Sequence, residues 1–249
     1  LEGTLGMNTL GAGHAQSTGY RVADDWVVEN PSNIESFQFY SYQTGSTTTS
    51  TINFVSLAIW NGVPGAEGSS IVWGSQTANV FSSSTWTGAY RVSDTSLGDT
   101  SRPIMITTVN TPGLTLEPGT YWLDWQTGGS LSSGPWAPPI AILGQTTTGN
   151  AKQYDPTTMT WSNLIDVGPQ GLPFEVNGTE EPAELEGCLN TPNGQWPSGT
   201  TGYTPVCNGV EATVTSAGFT GEYSRINVIS GHYYIFRTSS ASHFITISD

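Results

Sequence analysis

A chain of 249 residues can bury one large core, or one core beside a smaller module. Only 10% of residues are charged and 11% are aromatic, a composition that excludes a disordered polyampholyte. The balance of 20 acidic to 6 basic residues, a net charge of −14, argues against nucleic acid as a partner and against docking on anionic lipid. The same acidity suits an extracellular protein and leaves carboxylates for calcium, though solubility alone accounts for it equally well. No run of about 18 apolar residues offers a membrane-inserting helix.

Helix signals are almost absent, because apolar residues do not recur at the helical period and Gly or Pro interrupts most stretches. Short β-rich runs recur instead. Between Ile34 and Gln43, Phe37 and Phe39 share one face, and Gln38, Tyr40 and Tyr42 share the other. From Ile52 to Trp60, the residues Val55, Leu57 and Ile59 share a face. Shorter runs follow at Ile71–Trp73, Val80–Ser82 and Tyr90–Val92, then longer ones at Pro103–Val109 and, after the turn Glu117-Pro118-Gly119, at Gly119–Gln126. Ile140–Leu143, Thr160–Leu164 and Phe174–Val176 complete the series. So many short strands predict an all-β antiparallel β-sandwich or jelly roll over residues 1–177.

Residues 178–187 hold several glutamates and Pro182, and read as an acidic linker. Residues 188–249 read as a small second β module, with strand-like runs at Val210–Thr215, Tyr223–Val228, Tyr233–Arg237 and Phe244–Ile247. The chain opens at Leu1 without a methionine and stops at Asp249 directly after one of these runs, so a trimmed start and an incomplete second module are expected. Cys188 and Cys207 are not spaced as a zinc or redox motif. A disulfide between them would close a loop of about 20 residues and stabilise by roughly 3 kcal/mol. Two free thiols are the alternative.

Several segments carry a likeness. Tyr20-Arg21-Val22-Ala23-Asp24-Asp25-Trp26 is followed by Tyr40-Ser41-Tyr42-Gln43-Thr44-Gly45-Ser46, Ala58-Ile59-Trp60-Asn61-Gly62-Val63-Pro64-Gly65 and Arg102-Pro103-Ile104-Met105. Pro118-Gly119-Thr120-Tyr121-Trp122-Leu123-Asp124-Trp125 and Gly134-Pro135-Trp136-Ala137-Pro138-Pro139 complete the set. This pattern resembles a β-sandwich domain of large secreted bacterial exoproteins, of the Bacteroidetes type exported by the type IX pathway. Cys207-Asn208-Gly209, Gly221-Glu222-Tyr223-Ser224 and Phe244-Ile245-Thr246-Ile247-Ser248 are similar to a small disulfide-bearing module of the same exoproteins. The resemblance implies secretion, whether released or kept at the cell surface, a modular architecture, and an accessory role such as adhesion or substrate binding. It hands over no catalytic residues.

The chemistry-bearing residues agree with that reading. His14, His232 and His243 make no metal-ligand pair at helical spacing, and no nucleophile elbow is present. His14 lies in a Gly-rich stretch that reads as mobile, while His232 and His243 read as edge histidines more readily than as a zinc pair. Asp24 and Asp25, adjacent on a strand, must point to opposite faces. With Asp94 and Asp99 in the loop that follows Tyr90–Val92, they are the candidate calcium ligands. Nine tryptophans and ten tyrosines offer plates for stacking on sugar rings. Alternation in Gly119–Gln126 sends Leu123 and Trp125 to the core, and predicts an outward plate-plus-acceptor pair in Trp122 and Asp124. Tyr40 with Tyr42, and Trp136 on its Pro-rich loop, are further candidate ligand contacts, although each aromatic fills a core equally well. The expected partner is an extracellular polysaccharide or other surface polymer. Self-association through strand edges is the alternative, and a hydrolase built on two carboxylates is the third reading.

Overall fold

The computed structural model of the chain describes residues 1–180, 191–199, 201–239 and 245–247. They fall into two units, Leu1–Ala183 and Glu184–Asp249. The first unit is built almost wholly of strands: β1 (Ala12–Gly13), β2 (Arg21–Val28), β3 (Ser32–Ser41), β4 (Ile52–Trp60), β5 (Ile71–Ser75), β6 (Ser83–Tyr90) and β7 (Pro103–Leu116). After these come β8 (Gly119–Gly129), β9 (Trp136–Ala137), β10 (Lys152–Asp155), β11 (Thr160–Asn163), β12 (Ile165–Asp166), β13 (Gly168–Pro169) and β14 (Phe174–Glu180). Its one helical turn among the described residues is Gly3–Leu5.

Two antiparallel sheets form the sandwich. One has six strands in the order β11-β10-β2-β8-β4-β5, the other four in the order β14-β3-β7-β6. The chain passes from one sheet to the other between β2 and β3, β3 and β4, β5 and β6, β7 and β8, and again before β14, the interleaving of a jelly roll. Val22, Leu123, Trp125, Val55, Leu57 and Ile59 face inward from the larger sheet, and Phe37, Phe39, Met105 and Val109 from the smaller. Phe39 stacks on Trp125 with ring centroids 4.9 Å apart, so aromatic rings weld the two sheets together. Burying each such large side chain contributes about 1.5–3 kcal/mol.

The larger sheet curls. Gly65, between β4 and β5, lies so close to Trp161 of β11 that an added Cβ would sit 3.0 Å from the indole. Those strands stand near opposite ends of the sheet order, so the two margins fold toward each other over the outer face. The curl explains why β8 is buried on both faces from Trp122 to Gly128, where a flat two-layer sandwich would leave every second residue wet.

Several sequence expectations change. Val80–Ser82 and Ile140–Leu143 are not strands, and of Tyr90–Val92 only Tyr90 belongs to one. Val80 and Phe81 still pack on the core, but within the crossing from β5 to β6. The segment read as a linker begins too early. Gly178, Thr179 and Glu180 pair with Ile34, Asn33 and Ser32 as the end of β14. A bulge sits there, and a Cβ on Gly178 would lie 2.2 Å from the Asn33 carbonyl oxygen, which only glycine avoids. The remainder of that segment, 181–187, lies outside the described residues.

The second unit is poorer in strands than expected. Val210–Thr215 and Tyr233–Arg237 form none, and within Tyr223–Val228 only Tyr223 is in a strand. The unit's strands among the described residues are β15 (Gly194–Gln195) and β16 (Glu222–Tyr223), paired in parallel. Val210, Tyr233 and Ile235 are exposed, so these apolar residues cover no sheet face among the described residues. Cys207 is exposed, and its Sγ lies 3.4 Å from the Tyr234 Oη. Cys188 and His243 lie outside the described residues, as does Phe244 of the last run, and His232 is exposed. No helix among the described residues is long and apolar enough to cross a membrane.

Candidate functional site

The outer face of the six-stranded sheet is built row by row. Ala23 of β2, Asp124 of β8, Ala58 of β4 and Gly74 of β5 are register partners across four strands, and Lys152 of β10 continues the row beyond Ala23. The methyl groups of Ala23 and Ala58 leave the Asp124 carboxylate a clear floor. In the next row Asp25, Trp122 and Trp60 are partners, and on the other side Arg21 pairs with Tyr154, which pairs with Trp161.

Asp124 gathers donors from three directions. Its Oδ1 accepts from Arg21 Nε at 3.0 Å, and its Oδ2 accepts from Gln76 Nε2 at 2.8 Å and Trp60 Nε1 at 3.2 Å. Burial pushes this carboxyl above the usual range, against the opposing pull of the Arg21 guanidinium and the three donors. The Asp124 side chain is 0% exposed and that of Arg21 is 13% exposed. The guanidinium carbon lies 3.9 Å from the centre of the Tyr154 ring and 5.4 Å from that of Trp161. Beside them Lys152 Nζ stands 5.7 Å from the Trp122 ring centre and donates to Asn163 Oδ1 at 2.7 Å.

Next to this cluster opens a pocket of about 340 Å³, lined among others by Arg21, Phe54, Gln16, Gln76, Thr77 and Gln126. Gln126 is fixed by donating from Nε2 to the Tyr20 carbonyl at 3.0 Å. One charged fork, three amides, one hydroxyl and one aromatic ring make a polar, partly apolar cup, with no acidic side chain among these six residues.

The predicted site residues fare unevenly. Trp122 and Asp124 do share the outer face, but Trp122 is 4% exposed and Asp124 is wholly covered, because the curled margins close over β8. They are the foundation of the site and not its contact surface. Both Asp124 oxygens are taken up by Arg21, Gln76 and Trp60. Tyr40 and Tyr42 do not form a pair. Tyr40 donates its hydroxyl to Glu175 on the half-buried outer face of the smaller sheet, whereas Tyr42 is 2% exposed beneath β9 and Gly11. Trp136 is half-buried in β9, with its Nε1 donating to Ser133 Oγ at 3.3 Å.

The four candidate calcium ligands stand apart. Asp24 faces inward, and its Oδ2 accepts the Leu172 N–H at 2.7 Å while its Oδ1 accepts the Asp25 N–H at 3.0 Å. Asp25 takes the opposite, outer face beside Trp122. Asp94 accepts from the Gly3 and Thr4 amides and the Thr4 hydroxyl, and Asp99 from the Ser101 amide and the Arg102 guanidinium. Among the described residues no three His, Cys, Asp or Glu side chains converge on one point. His14, expected to be mobile, is fully buried. Nearby, Gly11 lets Trp136 and Tyr42 approach the backbone, since a Cβ there would lie 2.5 Å from Trp136 Cβ and 2.6 Å from the Tyr42 hydroxyl.

Sequence reasoning did not single out Arg21, Phe54, Trp60, Gln76, Tyr154 or Trp161. The alternation of Arg21, Ala23 and Asp25 held the signal for the first, but the partners arrive from strands too short or too polar to stand out, above all Lys152–Asp155. No protein-family model matches the chain, and neither the curated proteins nor the solved structures contain a match to it.

Proposed function

We propose that the sandwich is a non-catalytic binding module of a secreted or cell-surface protein, and that it holds an extracellular glycan or a comparable surface polymer. The observation that carries this reading is the outer-face pocket, where an ordered guanidinium, three glutamine amides, Thr77 and the Phe54 ring converge beside Tyr154 and Trp161. Sugar rings present hydroxyls to amides and apolar C–H faces to aromatic plates, and this cup offers both. The likeness to exported bacterial exoproteins supports the same role. A panel of neutral and acidic polysaccharides in native affinity electrophoresis tests it, with the Phe54→Ala variant alongside. Retardation of the wild-type chain by at least one polymer, weakened about tenfold in Phe54→Ala, is the expected result. A folded chain that no polymer retards would refute the reading. Because the pocket brings no carboxylate ligand set, chelation of calcium leaves the retardation unchanged.

A second reading, assembly through sheet edges, rests on β5 and β6. Both are margin strands without a charged residue, and Ile71 and Val72 are exposed on β5. Sedimentation showing concentration-dependent association would favour it.

A further inference from the structure

We propose that the ligand bears a carboxylate and that Arg21 receives it, so that the module selects uronate-bearing polysaccharides over neutral ones. The inference rests on the glycan reading and sharpens it.

Arg21 spends only its Nε on the protein, in the bond to Asp124. Its two Nη groups have no hydrogen-bond acceptor among the described residues, although the side chain is 13% exposed. The Nη groups keep their donors available to solvent, and the direction open to them is the pocket that Arg21 lines. The plane is already fixed, with Asp124 holding one edge and Tyr154 one face. A guanidinium fixed in this way loses little entropy on binding, and its free edge matches the two oxygens of a carboxylate in a paired geometry. The surroundings favour an anion inside a sugar over a free ion. Gln16, Gln76, Gln126 and Thr77 are neutral hydrogen-bonding groups suited to hydroxyls, and Phe54 supplies the apolar wall. Lys152, the only lysine of the chain, stands on the same face two strand positions from Arg21's partner Tyr154. Asp124 is then a positioning residue. It neutralises the covered cation without competing at the mouth of the pocket, because its own side chain is shielded from solvent.

The test is a calorimetric titration of the full chain with alginate oligosaccharides and with the same oligosaccharides after reduction of their carboxyl groups. Binding of the uronate form at least tenfold tighter than the reduced form is expected. Arg21→Lys keeps a cation for Asp124 but loses the fork, and is expected to remove most of that preference. Thr77→Trp, at an exposed rim position, blocks the pocket without touching the buried pair and is expected to abolish binding. Equal affinity for the two forms would overturn the carboxylate assignment and leave the glycan reading standing. An unchanged preference in Arg21→Lys, or stronger binding of a sulfated polymer than of alginate, would overturn it as well. Failure of both oligosaccharides would overturn the assignment, and failure of the whole polymer panel would overturn the glycan reading with it.

Discussion

Arg21 reaches diagonally across from β2 to Asp124 of β8, Nε to Oδ1 at 3.0 Å, and the carboxylate it meets is sealed from water by the sheet's own curvature. An ion pair in such a place is neither a surface ornament nor a simple source of stability, since the desolvation of both charges offsets much of their attraction. Its consequence is geometric: the guanidinium is held over the Tyr154 ring, its carbon 3.9 Å from the ring centre, with Nε on Asp124.

Removing one partner strands the other. Asp124→Ala is expected to destabilise the first unit by about 3–5 kcal/mol in urea unfolding. The double variant Arg21→Met with Asp124→Leu is expected to recover most of that loss, because no uncompensated charge stays buried. A double variant as unstable as the single one would show that the pair itself, and not the orphaned charge, holds the fold.

Two buried groups oppose each other in their pH dependence. Burial raises the Asp24 carboxyl to about 6 from 3.8, so the folded chain holds that proton more tightly than the unfolded chain does. Its contribution to stability therefore falls as pH rises from about 4 to about 6, by about 3 kcal/mol. Burial lowers the His14 imidazole to about 4 from 6.5, so its contribution rises with pH over nearly the same window and by a similar amount. Asp24 and His14 largely offset each other between pH 4 and about 6, so the slope left to the wild-type chain is the downward one of Asp124, whose carboxyl burial also raises. His14→Phe leaves the falling slope of Asp24, and Asp24→Asn leaves the rising slope of His14. Chemical denaturation at several pH values reads both tilts, and parallel profiles for the two variants would contradict this assignment.

The amino-terminal segment is tethered through Asp94. Hydrogen bonds from the Thr4 hydroxyl, the Thr4 and Gly3 amides and Ser93 hold its carboxyl down to about 2. A depressed carboxyl contributes above its unfolded value of 3.8, and the contribution is lost as pH falls from about 4 through about 2. Asp94→Ala is expected to raise hydrogen exchange at the Gly3 and Thr4 amides at neutral pH while β2 and β8 stay protected. Unchanged exchange at those two amides would show that the Leu1 contacts to Val92 and Asp94 suffice.

The two-residue period of Gly119–Gln126 sorts its side chains correctly into two faces, and the same period in Ile52–Trp60 identifies Val55, Leu57 and Ile59 as core. Periodicity tells which residues share a face, but not what covers it. Trp122 and Asp124 read as an exposed pair because what meets them comes from residues far away in the chain, Arg21, Trp60 and Gln76 on Asp124 and Lys152 on Trp122, and depends on curvature that no local pattern encodes. The Gly-rich stretch around His14 reads as looseness, whereas in the fold His14 is fully buried and Gly11 permits the close approach of Tyr42 and Trp136. The binding pocket was the least legible element, since Arg21, Phe54, Gln76 and Gln126 come from separate strands and loops and meet only through register.

Affinity electrophoresis of two paired variants tests the central claim, that the outer face of the six-stranded sheet is the binding surface. Thr77→Trp fills the rim of the pocket, and Trp86→Ala removes an exposed aromatic from the smaller sheet. The account predicts that Thr77→Trp loses retardation in the polysaccharide gel while Trp86→Ala migrates like wild type. Retardation that survives Thr77→Trp and disappears in Trp86→Ala would contradict it.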